Sequence, residues 1–104
     1  MRHRTYRTFK NKYNEIKTVT RKGLQSIDDK PSLIRETDKI IVKQWHSKND
    51  LHRRNGPAVI VYHKEINDET YQWWLRGNIY SFSDFLKYSE IDHETKCELI
   101  LNYG

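Results

Sequence analysis

Two short stretches of sequence decide the fold: residues 51–60, which read LHRRNGPAVI, and residues 73–78, which read WWLRGN. In the first stretch the Asn-Gly-Pro step predicts a tight turn, because Asn and Gly adopt positive φ readily and Pro fixes the next φ. The apolar, β-branched run 58–62 that follows is typical of a strand buried on both faces. A Gly-Asn pair ends the second stretch and predicts another turn. These signals indicate antiparallel β-hairpins.

The neighbouring residues extend the same pattern. A strand is predicted over residues 39–45, and a turn at residues 47–50, where Asn and Asp tolerate positive φ. Another strand is predicted over residues 70–76, and its period of two separates two faces. The face expected in the core carries Tyr71, Trp73 and Leu75, and the other carries Thr70, Gln72, Trp74 and Arg76.

After residue 80 the pattern changes from strand to helix. The Ser81 hydroxyl is placed to cap a short helix over residues 82–88, and Asp92 is placed to cap a second helix that ends near Asn102. Three apolar residues of the second helix follow the spacing i, i+3, i+4 and are expected to pack against the rest of the protein: Cys97, Ile100 and Leu101.

The first twenty residues carry two conflicting patterns. Four apolar or aromatic residues are spaced by 3, 4 and 3 positions, which is a helical stripe: Tyr6, Phe9, Tyr13 and Ile16. The threonine and valine residues of the same region prefer a strand. We favour a strand over residues 13–20, and we expect residues 2–12 to form either a mobile arm or a short helix.

A comparison of the chain with itself finds an internal repeat of about 26 residues. Residues 30–34 match residues 56–60, and residues 45–52 match residues 73–80, with two extra residues in the second loop. A degenerate earlier copy is assigned to residues 21–26, with a threonine in place of the tryptophan. One strand pair cannot bury its own face, so the units are expected to stack side by side.

The quoted stretches resemble the MORN-like hairpin-repeat proteins of phages and bacteria, and the resemblance covers about residues 23–80. The chain departs from that pattern at Asn49, where a glycine is usual, and at Tyr80, where a histidine is usual. The resemblance implies a curved antiparallel sheet that is used for protein contacts. It brings no catalytic residues to this chain.

The predicted fold class is therefore α+β: an antiparallel meandering sheet of repeated hairpins, capped by one or two C-terminal helices. A chain of 104 residues has the length of a single domain. We divide it into a basic N-terminal segment (1–22), a repeat sheet (23–80) and a helical cap (81–104).

The residues offer little catalytic or metal chemistry. The single cysteine, Cys97, excludes an internal disulfide and is expected to be a packed thiol. A zinc site is worth weighing only among His46, His52 and His63, and His52 is already explained by its repeat position. The chain has no glycine-rich phosphate loop, so the sequence predicts a non-enzyme without cofactor or metal.

The formal charge of +5 is unevenly distributed along the chain. Residues 1–24 hold eight basic residues and one acidic residue, a net of +7, so the other eighty residues carry −2. One interpretation is surplus lysine that keeps the protein soluble, and the other is a grip on nucleic-acid phosphates. The candidate nucleic-acid contacts interleave cations with aromatic rings: Arg2, Arg4, Tyr6, Arg7, Phe9, Lys10 and Lys12.

A second candidate surface has the composition of a protein interface. A tryptophan beside an arginine is typical of a hot spot, unless Trp74 lies beneath the C-terminal helices. The candidate protein-binding residues are Gln72, Trp74, Arg76, Trp45, His52 and Arg53.

The sequence thus predicts a small phage-type accessory protein that binds a host protein and inhibits or redirects it. An antiviral defence complex (an anti-CRISPR-like role) or a polymerase would suit as the target. The alternative is a nucleic-acid-binding protein that acts through residues 1–24, and a third interpretation is a virion component that assembles through a sheet edge. No apolar run approaches the roughly 18 residues that cross a bilayer, so we expect no membrane partner and a location in the host cytoplasm. The oligomeric state is undecided, and a dimer is compatible with the sequence.

Overall fold

The computed structural model describes residues 6–104, and this part of the chain contains ten strands and two helices. The strands are β1 (Arg7–Lys10), β2 (Glu15–Thr20), β3 (Gly23–Leu24), β4 (Leu33–Glu36), β5 (Ile40–Gln44), β6 (His46–Ser47), β7 (Asp50–Leu51), β8 (Val59–His63), β9 (Asp68–Leu75) and β10 (Asn78–Tyr80). The helices are α1 (Phe82–Tyr88) and α2 (His93–Tyr103). Neither helix of this part of the chain is long and apolar enough to cross a membrane.

The main sheet is an antiparallel meander in the order β1-β2-β4-β5-β8-β9-β10, and β3 pairs with the end of β2. The strands β6 and β7 form a separate two-stranded ribbon. Each long strand therefore pairs with the long strand before it and the long strand after it. The predicted α+β fold, a meander of hairpins with a C-terminal helical cap, is confirmed.

The internal repeat is visible in the backbone hydrogen bonds. The Asn49 N–H donates to the Leu24 carbonyl at 2.9 Å, and the Gly77 N–H donates to the Leu51 carbonyl at 2.9 Å. The donor and the acceptor of the second bond lie 28 and 27 residues after those of the first. Each turn is thus stacked on the preceding one by the same bond, as expected of units that stack side by side.

The same periodicity is seen at the tryptophan position of the repeat, which is Thr18, Trp45 and Trp73 in the three copies. The Thr18 N–H donates to the Ser32 carbonyl at 2.8 Å, and the Trp45 N–H donates to the Ala58 carbonyl at 2.8 Å. Thr18, Trp45 and Trp73 are all buried, with 9%, 5% and 7% of their surfaces exposed. The degenerate first copy is therefore a structural copy, with a threonine filling the tryptophan position.

The turns at residues 47–50 and 75–78 also follow one pattern. The two central residues have positive φ in each: Lys48 (49°) and Asn49 (71°) in one, Arg76 (51°) and Gly77 (79°) in the other. Positive φ at both positions matches the right-handed twist of the flanking strands. Because Asn is among the residues that adopt this conformation most easily, Asn49 replaces the usual glycine without changing the turn.

The turn at residues 54–57 differs from the prediction. Neither Asn55 nor Gly56 has positive φ. A Cβ atom at Gly56 would instead lie 2.7 Å from Nη1 of Arg53, whose guanidinium runs across the turn. Gly56 is thus required for close approach of a side chain, and the prediction of positive φ was wrong. The strand after it is also less buried than predicted, with Val59 buried and residues 60–63 half-buried.

Both helices pack on the face of β9 that carries Trp73 and Leu75. These two residues form a buried cluster with Phe85 of α1 and Leu99 of α2. The Trp73 ring lies 4.8 Å from Phe85, and Tyr103 packs edge-on against Trp73 and Tyr71 at 5.3 and 4.8 Å. Tyr71 itself, predicted to be core, is 38% exposed at the rim of this cluster.

The caps and the start of both helices are as predicted. The Ser81 hydroxyl accepts from the Asp84 N–H at 3.1 Å, and the Asp92 carboxylate accepts from the Thr95 N–H at 2.8 Å. The buried side of α2 was predicted wrongly, because Cys97, Ile100 and Leu101 are all exposed, Leu101 to 84%. The side chains that pack α2 on the sheet are instead Leu99 and Tyr103, one turn apart, and the ring of Tyr103 contacts Trp73.

The sheet begins near the N-terminus, with two strands between residues 7 and 20. The strand predicted over residues 13–20 is present as β2, but residues 7–10 form β1, where an arm or a short helix was predicted. The two strands pair in register, with Thr8 opposite Thr18 and their hydroxyls 2.9 Å apart. Pairing with β2 fixes residues that the helical spacing of the aromatics left ambiguous.

Candidate functional site

The six predicted protein-binding residues do not form one site, and two of them are structural. The Arg53 guanidinium stacks on the buried Trp45 ring, with 3.9 Å from Cζ to the ring centroid. Its Nε and Nη2 donate to the two carboxylate oxygens of Asp29 at 3.0 and 3.1 Å, and its Nη1 donates to the Pro57 carbonyl at 3.1 Å. The Trp45 indole N–H donates to the Asp29 carbonyl at 2.9 Å. Trp45 and Arg53 therefore tie the loop before β4 to the turn before β8.

Two further candidates, His52 and Arg76, meet at the stacked turns. The Arg76 N–H donates to Nδ1 of His52 at 2.9 Å. Burial, and then the positive charges of Arg54 and Arg76, hold the pKa of His52 below its ordinary value. The ring is thus neutral near pH 7, and because Nδ1 accepts a hydrogen bond, its proton lies on Nε2.

The remaining candidates, Gln72 and Trp74, lie on the face of β9 opposite the helices. Trp74 is half-buried, and its indole N–H donates to Oε1 of Gln72 at 3.0 Å. Trp74 is paired directly across the strands with Ile79 of β10, whose surface is 56% exposed. We call Gln72, Trp74 and Ile79 the Trp74 patch. Trp73, and not Trp74, is the tryptophan beneath the helical cap.

The helical cap, on the opposite face of the sheet from the Trp74 patch, is acidic. Residues 81–104 carry five carboxylate side chains and two lysines, a formal net charge of −3. Helix α1 contacts both β9 and β10, so this charge is attached to the edge of the sheet that carries the patch. The basic strand β1 is at the other end of the strand order. Sequence analysis predicted a basic N-terminal segment and an acidic remainder. It did not name Ile79 as a contact residue, because Ile79 was already explained as a repeat position.

The predicted nucleic-acid contacts are partly described. Arg2 and Arg4 lie outside the described residues. The Arg7 guanidinium lies 5.1 Å from the Phe9 ring centroid, and the Lys12 ammonium lies 5.2 Å from that of Tyr13. Tyr6, Lys10 and Lys12 are exposed. Cations and aromatic rings are therefore adjacent on the edge hairpin β1–β2.

A polar cleft of about 570 Å³, which we call the turn cleft, opens between the two stacked turns and the end of α1. Lys48 and Arg76, the residues of positive φ in those turns, line one side, and Arg54, Tyr88 and Ser89 line the other. His52, which is also one of the predicted site residues, lies in its wall. Apart from His52 and Arg76, sequence analysis did not assign these residues to any site, because they come together only when the turns stack.

The histidines and the cysteine of residues 6–104 lie at separate places in the fold. Among residues 6–104, no three histidine, cysteine or carboxylate side chains are placed to hold a metal ion. Each of the three histidines weighed for zinc has its own partner: His46 with the Ser32 hydroxyl, His52 with the Arg76 N–H and His63 with the Thr70 hydroxyl. Cys97, predicted to be packed, is exposed 3.6 Å from Nε2 of His93 on the outer face of α2.

No family model matches the chain, and neither a curated protein nor a solved structure is similar to it. The surfaces themselves are therefore the basis for a function.

Proposed function

We propose that the chain is a non-enzymatic, phage-type protein-binding module that inhibits or redirects a host protein. The observation that carries the proposal is the Trp74–Ile79 pair, which lies on the sheet face opposite the helical cap with Ile79 56% exposed. Tryptophan is enriched in interface hot spots, and a half-buried ring is already held in place, so little conformational entropy is lost on binding.

The position of the pair supports a protein partner. Ile79 is in β10, which is the last strand of the meander and pairs with β9 alone. An edge strand presents unpaired backbone groups to which a partner's strand adds, and side chains such as Ile79 then set the specificity. Because β10 has only three residues, the strand of a partner could pair with it over a short length only.

The acidic cap, which covers the other face of the same edge of the sheet, indicates the chemistry of a partner that wraps around that edge. A net charge of −3 over residues 81–104 is complementary to a basic surface and would speed association with it. A nucleic-acid-binding groove in a defence effector or a polymerase is such a surface. The resemblance to MORN-like repeats supports the same class of function, because their sheets serve protein contacts.

The experiment is capture of a stoichiometric partner from nuclease-treated host lysate by the full chain. Ile79→Lys is the test variant, since it places a charge on the Trp74 patch. Ile66→Lys is the matched control, because Ile66 is 69% exposed in the turn before β9, at the other end of that strand. Loss of capture with the first variant and not with the second supports the proposal.

A second candidate function, nucleic-acid binding, is favoured by one observation: Arg7 and Lys12 lie over the rings of Phe9 and Tyr13 on the edge hairpin. Single-strand binders combine stacking rings with cations in this way. The triple variant Arg7→Gln, Lys10→Gln, Lys12→Gln would then weaken binding to an oligonucleotide and lower its salt dependence by about 0.7 per lost phosphate contact. Three exposed cations from elsewhere serve as the control, each changed to Gln: Lys30, Lys39 and Lys87. Equal binding by both triple variants excludes this function.

A further inference from the structure

The turn cleft holds positive groups that have no acidic partner within residues 6–104. No ion pair in this range involves Lys48, Arg54 or Arg76. Lys48 and Arg76 are exposed, and neither side chain makes a hydrogen bond to another described residue. Their backbones are fixed by the turn geometry, so two cations are held one repeat apart at the rim of a concave site.

Arg54 is pre-positioned on the opposite wall. Its Nε donates to the Ser89 carbonyl at 3.0 Å, and its Nη2 donates to the Glu90 carbonyl at 2.8 Å. These bonds cap the end of α1 and fix the plane of the guanidinium. Its Nη1 makes no bond to the described residues, so it remains available as a donor whose orientation is already set.

The same wall contains an unsatisfied polar atom. Ser89 is 3% exposed and lines the cleft, and its hydroxyl has no hydrogen-bond partner among residues 6–104. A buried hydroxyl without a partner is unfavourable, and such groups are rare in folded proteins. Ser89 thus adds a polar residue to the wall of the cleft.

The cleft also offers hydrogen-bond acceptors and aromatic surface. The carboxylates of Asp50 and Glu90 line it, and so do the rings of Tyr80 and Tyr88, which pack on each other with centroids 6.0 Å apart. The best match to this mixture is a ligand with an anionic group at one end, hydroxyl donors and a flat ring. The volume of the turn cleft, about 570 Å³, is within the range of small-molecule sites, roughly 300–1,000 Å³.

We propose that the turn cleft binds a 5′-mononucleotide, or the mononucleotide part of a larger small molecule. Lys48, Arg54 and Arg76 contact the phosphate, the Asp50 and Glu90 carboxylates accept from the ribose hydroxyls, and the tyrosine rings contact the base. The site is separate from the Trp74 patch, because none of the patch residues lines it. It needs no covalent step.

The test is calorimetric titration of the full chain with each of the four 5′-ribonucleoside monophosphates, with adenosine and with inorganic phosphate. We expect at least one mononucleotide to bind, phosphate to compete with it more weakly, and adenosine not to bind detectably. Absence of binding by all four at about 10 mM, where even a millimolar site is filled, overturns the proposal. Binding of adenosine as tight as that of its monophosphate overturns it as well.

Arg76→Asn is the decisive variant, because Asn tolerates the positive φ at this position and the turn is retained. Loss of one charge-assisted contact is expected to weaken mononucleotide binding about tenfold or more. Lys22→Asn is the matched control, since it removes one exposed charge from the turn between β2 and β3, which does not line the cleft. Equal affinity of the two variants overturns the proposal.

Discussion

Nδ1 of His52 accepts a hydrogen bond from the backbone N–H of Arg76, 24 residues later in the chain, at 2.9 Å. One repeat earlier, Oε1 of Gln25 accepts from the backbone N–H of Lys48, also at 2.9 Å. Lys48 and Arg76 are the positions of positive φ that begin the two turns. A side chain of each copy therefore holds the strained residue of the next turn, and a histidine and a glutamine perform the same role.

His52→Gln is predicted to keep this bond, because Gln25 already makes it in the first copy. We expect a free energy of unfolding within about 0.5 kcal/mol of the original chain, and a loss of about 1 kcal/mol for His52→Ala, which has no acceptor. Urea unfolding of the two variants measures the difference. Equal losses in both would show that the ring, and not its acceptor nitrogen, is needed.

Stability is predicted to fall as the pH is lowered from 7 to 5. Burial is the main cause that holds the pKa of His46 and of His52 below the ordinary value of about 6.5, with Asp50 opposing it at His46 and Arg54 and Arg76 adding to it at His52. Above pH 6.5 both rings are neutral in the folded and unfolded chains. Below it the unfolded chain takes up protons that the folded chain does not, so the free energy of unfolding decreases. His52→Gln is expected to reduce this decrease, and a pH series of urea unfolding curves that is identical in both proteins would contradict the assignment to His52.

The two glycines of positive φ are predicted to differ in their tolerance of alanine. A Cβ atom at Gly77 would lie 3.6 Å from Asp50, an ordinary contact, whereas one at Gly23 would lie 2.7 Å from Cβ of Asn49. Gly77→Ala is expected to cost about 1–2 kcal/mol for the backbone alone. Gly23→Ala adds a clash with the next turn and should cost at least about 1 kcal/mol more. Chemical unfolding measures the stability of both variants. A smaller loss of stability for Gly23→Ala than for Gly77→Ala would refute the stacking of Asn49 on the turn at Gly23.

Arg53 is predicted to stabilise the fold and to leave partner binding unchanged. Arg53→Lys loses the two-oxygen contact with Asp29 and the stacking on Trp45, so we expect about 1–2 kcal/mol less stability. Because Asp29 is partly exposed, its ion pair with Arg53 contributes less to stability than a buried ion pair would. Arg35→Lys, at an exposed arginine of β4, is the control and should change nothing measurable. A loss of partner capture with unchanged stability would place Arg53 in the interface.

Local signals predicted the repeat, the turns and the helix caps, because each depends on residues close in sequence. The hydroxyl cap of Ser81 and the positive φ of Asn49 are examples, although the second residue of positive φ in that turn is Lys48 and not Asp50. The buried side of α2 was not predictable in this way, since Tyr103 reaches a ring, Trp73, thirty residues earlier. Strand β1 was missed for the same reason, because only its pairing with β2 decides between helix and strand.

The candidate site was predicted in part. The alternation of β9 separated Trp73 from Trp74 correctly, but it did not show which of the two faces the helices cover. The turn cleft emerges only when successive repeats are stacked, because its residues come from different copies. Ile79 joins Trp74 within one hairpin, through the pairing of β10 with β9. Arg53 was predicted as a contact residue, and its two bonds to Asp29 show a structural role that the sequence did not indicate.

The most direct test of the protein-binding account is quantitative capture from nuclease-treated host lysate by the full chain, by Ile79→Lys and by Ile66→Lys. Circular dichroism first confirms that all three proteins are folded. We predict one stoichiometric protein, retained equally by the original chain and Ile66→Lys and reduced about tenfold or more with Ile79→Lys, because a charge would be buried at an interface hot spot. Retention of no stoichiometric protein by the original chain, or equal retention by Ile79→Lys, would contradict the account.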